Sequence, residues 1–277
     1  LADFREQYQM RSKLYFTQVA LTVLVAGCFW QNAVGADTTT AAGNEQIYTE
    51  LEALKAGQQA ILKELAEIRK LVTPKKREVV SDIDVVLDVA GDPVKGSPDA
   101  RLALVEFTDY QCPFCGRHVK SVLPPLLKDY VDSGKVRYVI RDYPLPFHKD
   151  ARNAAYAAHC AGEQGKYWEM HDVLFGNQKA LGRDKLSEHA GNLELDVAAF
   201  DECVDSGRYA GKVDASLKDG ARATVRGTPS FVVGMVGADG KVKGTKIIRG
   251  AVGLSVFKTT LDEALNKGKE PVAKVGK

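Results

Sequence analysis

The chain is 277 residues long, enough for one large domain or for a domain with appendages. It is 45% hydrophobic and 27% charged, the composition of a soluble globular protein, and its net charge of +2 gives no basis for nucleic-acid binding. Five cysteines are too few, and too unevenly placed, for a disulfide scaffold.

The N-terminal residues read as targeting rather than fold. Met10 is followed by Arg11 and Lys13, and then by an apolar run over 14–30 that Thr17 and Gln18 interrupt. A positive patch ahead of an apolar core is the layout of an export signal, here spanning 1–36 with 1–9 as an upstream extension. Two cleavage points compete. Val25-Ala26-Gly27-Cys28 has the form of a lipobox, which makes Cys28 the lipid-carrying residue, although the bulky Phe29-Trp30 after it counts against that form. Val34-Gly35-Ala36 would instead release a soluble protein beginning at Asp37. A retained anchor is the third reading, and about 17 mostly apolar residues is a borderline length for it. Either cleavage places the remaining cysteines in a compartment of the cell envelope or periplasm that permits disulfides.

Residues 37–48 begin with a stretch rich in Thr, Ala and Gly and are expected to form a flexible linker. Over 49–72 the pattern becomes helical. Leu51, Leu54, Gln58, Ile61, Leu65, Ile68 and Val72 alternate in steps of three and four, the seam of a coiled coil. Leu62 and Leu71 widen the stripe, which favours three strands over two, and Glu64 and Arg69 fall where a parallel neighbour would pair them. Gly57 weakens the helix by roughly 1 kcal/mol relative to Ala. The segment is therefore expected to be a helical stalk that makes a homo-oligomer; an amphipathic helix folded back on the following domain is the alternative.

A linker at 73–79 leads to a domain expected over 80–268, with a tail at 269–277. Residues 79–87 read as a strand or strand pair, and Gly91-Asp92-Pro93 and Gly96-Ser97-Pro98 as turns. The apolar strand at 101–107 runs into Cys112-Pro113-Phe114-Cys115, with a helix starting near Phe114. A cysteine at a helix N-terminus meets unpaired backbone N–H groups and the positive end of the helix dipole, so its thiolate is favoured. Cys112 is the expected nucleophile, and Cys115, almost a turn further in, the resolving thiol. A helix punctuated at Pro124-Pro125 and a strand at 136–140 complete a parallel crossover unit. Helical pieces over about 145–223, strands at 230–233 and 246–249, and a closing helix at 254–265 make the whole an α/β domain. Tyr167, Trp168 and Phe175 are expected in the core of the helical part, and His148, His159, His171 and His189 at its surface or as helix caps.

With these pieces in order, the chain resembles the DsbA-like thiol–disulfide oxidoreductases, whose fold is thioredoxin-like with an inserted helical subdomain. The resemblance rests on Val-Glu-Phe-Thr-Asp-Tyr-Gln-Cys-Pro-Phe-Cys at 105–115, Cys-Ala-Gly-Glu-Gln-Gly-Lys-Tyr-Trp-Glu-Met-His at 160–171 and Gly-Thr-Pro-Ser-Phe at 227–231. It implies that Pro229 is the family's cis-proline, which frees the backbone of Thr228 to pair with an extended client segment. It also implies that Glu106 is a buried acid near Cys115, where a raised pKa would suit proton relay; a strand glutamate facing water is the plain alternative. Pro113, Phe114, Thr228 and Pro229 would form the client-binding rim. Phe114 stands where strongly oxidising relatives carry His, which implies a milder oxidant.

The function this implies is exchange of a Cys112/Cys115 disulfide with client proteins, most simply as their oxidant, with a membrane-bound or soluble redox partner and no cofactor. An oligomeric isomerase or reductase is the alternative within the class. An envelope protein that sequesters Cu(I) between the two thiols is the alternative outside it. Structural zinc would need two further ligands, and no second CxxC exists; His118 alone follows the motif. Cys160 and Cys203 either pair as a structural disulfide in the oxidising compartment or remain buried free thiols.

Overall fold

A computed structural model describes residues 39–72 and 78–267. The expectations for the export segment at 1–36 with Cys28, for most of the linker at 73–79 and for the tail at 269–277 fall outside the described residues. The chain divides into two units, Leu1–Lys75 and Lys76–Lys277.

The described part of the first unit is one helix, α1, Thr39–Val72. The linker expected over 37–48 is therefore helical from Thr39 onward. Helix propagation needs only one hydrogen bond per added residue, so a stable helix over 49–72 extends cheaply through Ala-rich sequence, and one glycine, Gly43, does not stop it. The seam residues are exposed, from 47% at Leu51 to 74% at Leu54, with Ile61, Leu65 and Ile68 between.

In the second unit the strands are β1 (Val80–Leu87), β2 (Val94–Lys95), β3 (Leu102–Thr108), β4 (Val136–Asp142), β5 (Ser230–Val236) and β6 (Val242–Arg249). They form one sheet in the order β1-β6-β5-β3-β4-β2. β3 and β4 are parallel and the other pairs antiparallel. The β3–β4 crossover is α2 (Pro113–Ser121), a short α3 (Leu123–Leu126) and a wider π-helical turn at Leu127–Val131. Pro124 and Pro125 lack the N–H an uninterrupted helix would use, and the helix breaks just before them and restarts with the first proline in its opening turn.

Every residue of β3 is buried, as a near-continuous apolar run in a central strand requires. Its side chains alternate between two cores. Ala103, Val105 and Phe107 join Val232 and Ile247 on one face, and Leu102 and Leu104 join Tyr138, Phe231 and Phe257 on the other. The second face is the one packed by α2 and the insert. Glu106 continues the Leu102–Leu104 series and so points into that larger core.

The insert between β4 and β5 is α4 (Ala151–Glu163), α5 (Tyr167–Gly176), α6 (Arg183–Asn192), α7 (Val197–Ser206) and α8 (Ala210–Arg222); α9 (Leu254–Lys267) closes the domain. Cys160 of α4 and Cys203 of α7 are joined by a disulfide, Cα atoms 5.8 Å apart across 43 residues of chain. Asp196 caps α7 by accepting the Ala199 N–H at 3.1 Å. Tyr167 and Phe175 lie in the core with Trp168 packed against it. Of the four histidines expected at the surface or as caps, three are buried: His159 meets Asp142, His189 the Ala180 carbonyl and His171 Asp172 through Nδ1, while His171 Nε2 has no hydrogen-bond partner among the described residues. At Gly234 a Cβ would sit 2.3 Å from the Lys243 carbonyl oxygen, so only glycine fits this irregular point of the β5–β6 ladder.

Candidate active site

Cys112 is the N-cap of α2, with extended backbone (φ −74°, ψ 120°), and Pro113 follows as the first helical residue. Proline suits that position because its missing N–H would have no helical partner there. The turn leading into it is held by buried Asp109. One carboxylate oxygen accepts the Gln111 N–H at 2.8 Å; the other accepts the Leu145 N–H at 2.8 Å and meets His148 Nδ1 at 2.8 Å. From the insert, Gln178 donates through Nε2 to the carbonyls of Tyr110 and Cys112, both at 2.8 Å. Gly116 makes room for it: a Cβ there would lie 2.2 Å from Gln178 Oε1.

Both motif thiols are free and in contact with the core, Cys112 2% exposed and Cys115 0%. Access to Cys112 is therefore narrower than its place at the head of a helix suggests. Its sulfur lies 3.5 Å from the Thr228 carbonyl oxygen, and the Thr228–Pro229 peptide bond is cis. The expected Cys112–Thr228–Pro229 juxtaposition is thus present. Phe114 is 53% exposed and lines, with Thr228 and Pro229, a groove of about 690 Å³. Pro113 is exposed at the turn but is not among the residues that line the groove.

The two thiols are driven apart electrostatically. Cys112 is lowered to about 6, chiefly by a hydrogen bond from the Cys115 thiol. Burial opposes this, and the Thr228 side chain and the N–H groups of Cys115 and Phe114 assist. The Thr228 hydroxyl has no hydrogen-bond partner among the described residues in the thiol form, so it is available to turn to the thiolate. Cys115 is pushed well above the ordinary thiol value by burial first, then by the Cys112 thiol and the Glu106 carboxylate.

Glu106 is fully buried, in register between Ile140 and Phe231, so the water-facing alternative does not hold. Burial raises it to about 7, against the lowering effect of the Tyr138 hydroxyl, which donates to Glu106 Oε2. The same oxygen lies 3.5 Å from His118 Nε2. Burial lowers His118 to about 3, so it is neutral between the rings of Phe231 and Phe257, 4.6 and 5.3 Å away. Sequence reasoning placed His118 only as a failed zinc ligand. Its spacing of three from Cys115 was the available signal, since residues three apart on a helix share a face. Gln178 carries no such signal, because its role depends on how the insert folds back. Among the described residues no three or more His, Cys, Asp or Glu side chains cluster as a metal site.

This arrangement is suited to thiol–disulfide exchange: an acidified sulfur beside a backbone edge, a second sulfur behind it, and a carboxyl group that can move a proton to the second. Residues 88–245 match the family model described as Thioredoxin. The chain is 38% identical over 157 residues to "Na(+)/H(+) antiporter NhaA 3" of Salinispora tropica and 33% identical over 170 to a Herminiimonas arsenicoxydans antiporter of the same name. These matches take in 56% and 60% of this chain but 24% and 27% of those proteins, so the chain spans about a quarter of the curated relatives it matches. Among solved structures it resembles oxidised BdbD of Bacillus subtilis, with TM-score 0.58, 24% identity, and coverage of 67% of this chain and 99% of that one. It also resembles alpha-DsbA1 of Wolbachia pipientis (0.55, 21%, 65% and 94%) and a thioredoxin-like oxidoreductase of Silicibacter pomeroyi (0.52, 28%, 63% and 92%).

Proposed function

The chain belongs to the thioredoxin family, among its DsbA-like thiol–disulfide oxidoreductases, and from that premise we propose that it is an exported oxidant of client proteins. In the forward reaction a client thiolate attacks Sγ of Cys112 in the Cys112–Cys115 disulfide. An S–S bond forms to the client, and Cys115 leaves as a thiolate that takes a proton, with Glu106 as the nearby acid. A second client thiolate then attacks the client sulfur of the mixed disulfide, and Cys112 leaves as a stable thiolate. The client gains one disulfide and the enzyme becomes the dithiol.

The observation that carries this direction is the low pKa of Cys112, about 6. A stabilised thiolate favours the reduced enzyme and makes a good leaving group, so the disulfide form is oxidising. Phe114 has no group to donate to that thiolate, which leaves it less acidic than in the strongest oxidants. The expected potential lies between roughly −270 and −120 mV, the range between thioredoxin and DsbA. The Cys160–Cys203 disulfide supports an oxidising compartment. In the test, oxidised protein is mixed with a reduced, unfolded client, and the expected result is stoichiometric loss of client thiols. Rescue of a scrambled client without oxidation of a reduced one would overturn the oxidant reading in favour of an isomerase. The sodium–proton exchange named for the longer relatives is not carried to this chain.

We also propose that α1 joins copies of this chain through the exposed seam at Leu51, Leu54, Ile61, Leu65 and Ile68. Light scattering is expected to give a multiple of the chain mass for the full protein and the single-chain mass for an Ile61→Glu/Leu65→Glu variant. One mass for both would remove the idea.

A further inference from the structure

The groove beside Cys112 is unevenly charged. Its lining is apolar at Phe114, Pro229 and Val252 and carries Arg117, Arg226 and Arg249 against one carboxylate, Glu78. None of these arginines is within 4.0 Å of a carboxylate among the described residues, whereas Arg152 and Arg222 each pair with one and Arg141, Arg183 and Arg208 each pair with two. Their surroundings orient without neutralising. Arg249 donates to the hydroxyls of Ser81 at 2.6 Å and Thr224 at 2.8 Å. The Arg117 guanidinium lies 5.1 Å from the Phe114 ring centre. Arg226 is exposed, two residues before Thr228.

We propose that this groove selects client segments that carry aspartate or glutamate beside the reacting cysteine, with Arg117, Arg226 and Arg249 as the selecting residues. The proposal rests on the oxidoreductase reading. An extended segment paired along Thr228 would place its flanking side chains among the three guanidinium groups, whose planar forks match carboxylates in geometry as well as charge. The attraction also acts before contact, since a patch of one sign raises the encounter rate with ligands of the other.

The test uses the full chain, oxidised, and three peptides with one cysteine each, flanked by Asp and Glu, by Ser and Asn, or by Lys. The rate of mixed-disulfide formation is measured for each by stopped flow. At low salt the acidic peptide is expected to react at least about tenfold faster than the basic one, and the ratio is expected to fall as salt screens it. In an Arg117→Gln/Arg226→Gln variant the ratio is expected to fall most of the way to one. Using ratios within one protein removes any effect of the substitutions on the thiol itself. Equal rates for the three peptides overturn the proposal and leave the oxidoreductase reading intact. So does an acidic preference that survives the double substitution. Three peptides that react alike, in a protein that binds phosphatidylglycerol vesicles, would assign the cations to a membrane surface and sink the proposal. If no peptide reacts, the oxidoreductase reading fails and the proposal with it.

Discussion

A Cys112→Ser protein is expected to lose thiol–disulfide exchange by on the order of a thousandfold or more, because Cys115 cannot replace the missing nucleophile. Cys115 is fully buried and its thiol is pushed well above the ordinary range, so at neutral pH it is neither reachable nor ionised. Cys115→Ser is expected to behave differently. With Cys112 intact and no resolving sulfur, the reduced variant should attack a client disulfide and stall as a mixed disulfide visible on a non-reducing gel. The pH profile identifies the active sulfur. Alkylation of the reduced wild-type protein should rise through an inflection near pH 6, against about 8.5 for a peptide thiol. At pH 6 that difference is worth roughly 150-fold in thiolate fraction, and the lower nucleophilicity of an acidic thiolate divides it by about 10 to 18, leaving a gain of about tenfold. The inflection, unlike the absolute rate, does not depend on how narrow the approach to Cys112 is. Cys115→Ser keeps a hydroxyl donor to the thiolate and should hold the inflection low, while Cys115→Ala removes the largest cause of the shift and should move it up. An inflection near 8.5 in the wild-type protein would remove the acidified sulfur and the oxidant role built on it. A depressed thiol pKa stabilises the reduced fold fully above about pH 9, and that stabilisation is lost as the pH falls through about 6.

The parts of this protein that were legible in its sequence are those whose physics is local. Cys112 and Pro113 announce a helix start, the unbroken apolar run of β3 announces a central strand, and strict 3-4 spacing announces α1. Each follows from neighbours a few residues away. Glu106 was legible in part: the two-residue period of β3 assigns it to the face of Leu102 and Leu104, but only the resemblance said what would lie opposite. The start of α1 was misplaced because composition suggests a tether while helix propagation from a stable segment is cheap. The contacts of Gln178 and His148 were missed for one shared reason. A polar side chain is read as exposed unless its partner is known, and the partners here are far off in sequence: Asp109 is 39 residues from His148, and Gln178 reaches carbonyls 66 and 68 residues away. The unpaired arginines of the groove are the converse case. Their spacing along the chain says nothing of a shared site, and the fold brings α2, the cis-proline turn and the end of β6 to the edge of one groove.

Glu106→Gln is expected to make the protein more stable and less active, a combination that a structural glutamate would not give. In the fold Glu106 titrates near 7, and in the unfolded chain near 4.5. Below pH 4.5 both states hold the proton and the buried carboxyl is at its least costly. As the pH rises through 7 the unfolded chain has already released the proton, and the folded one must ionise in an apolar wall. Stability is therefore lost across the interval from 4.5 to 7, by about 3 kcal/mol for a shift of this size. Glutamine does not ionise. It can accept the Tyr138 hydroxyl through its oxygen and turn its NH2 group, at the place of the unpartnered Oε1, to the Thr108 hydroxyl, so its own burial is satisfied. The variant is expected to match the wild type in denaturant at pH 4 and to exceed it by about 3 kcal/mol at pH 8. The same exchange removes the acid that meets Cys115 as it leaves. Client oxidation near neutral pH is expected to slow by about tenfold to a hundredfold, and the pH–rate profile to lose its limb near 7. A stability difference that is the same at pH 4 and pH 8 would mean that Glu106 does not titrate within the core. A variant with the wild-type pH–rate profile would mean that Cys115 takes its proton from elsewhere, and the buried acid would then be a cost to the fold with no part in the reaction.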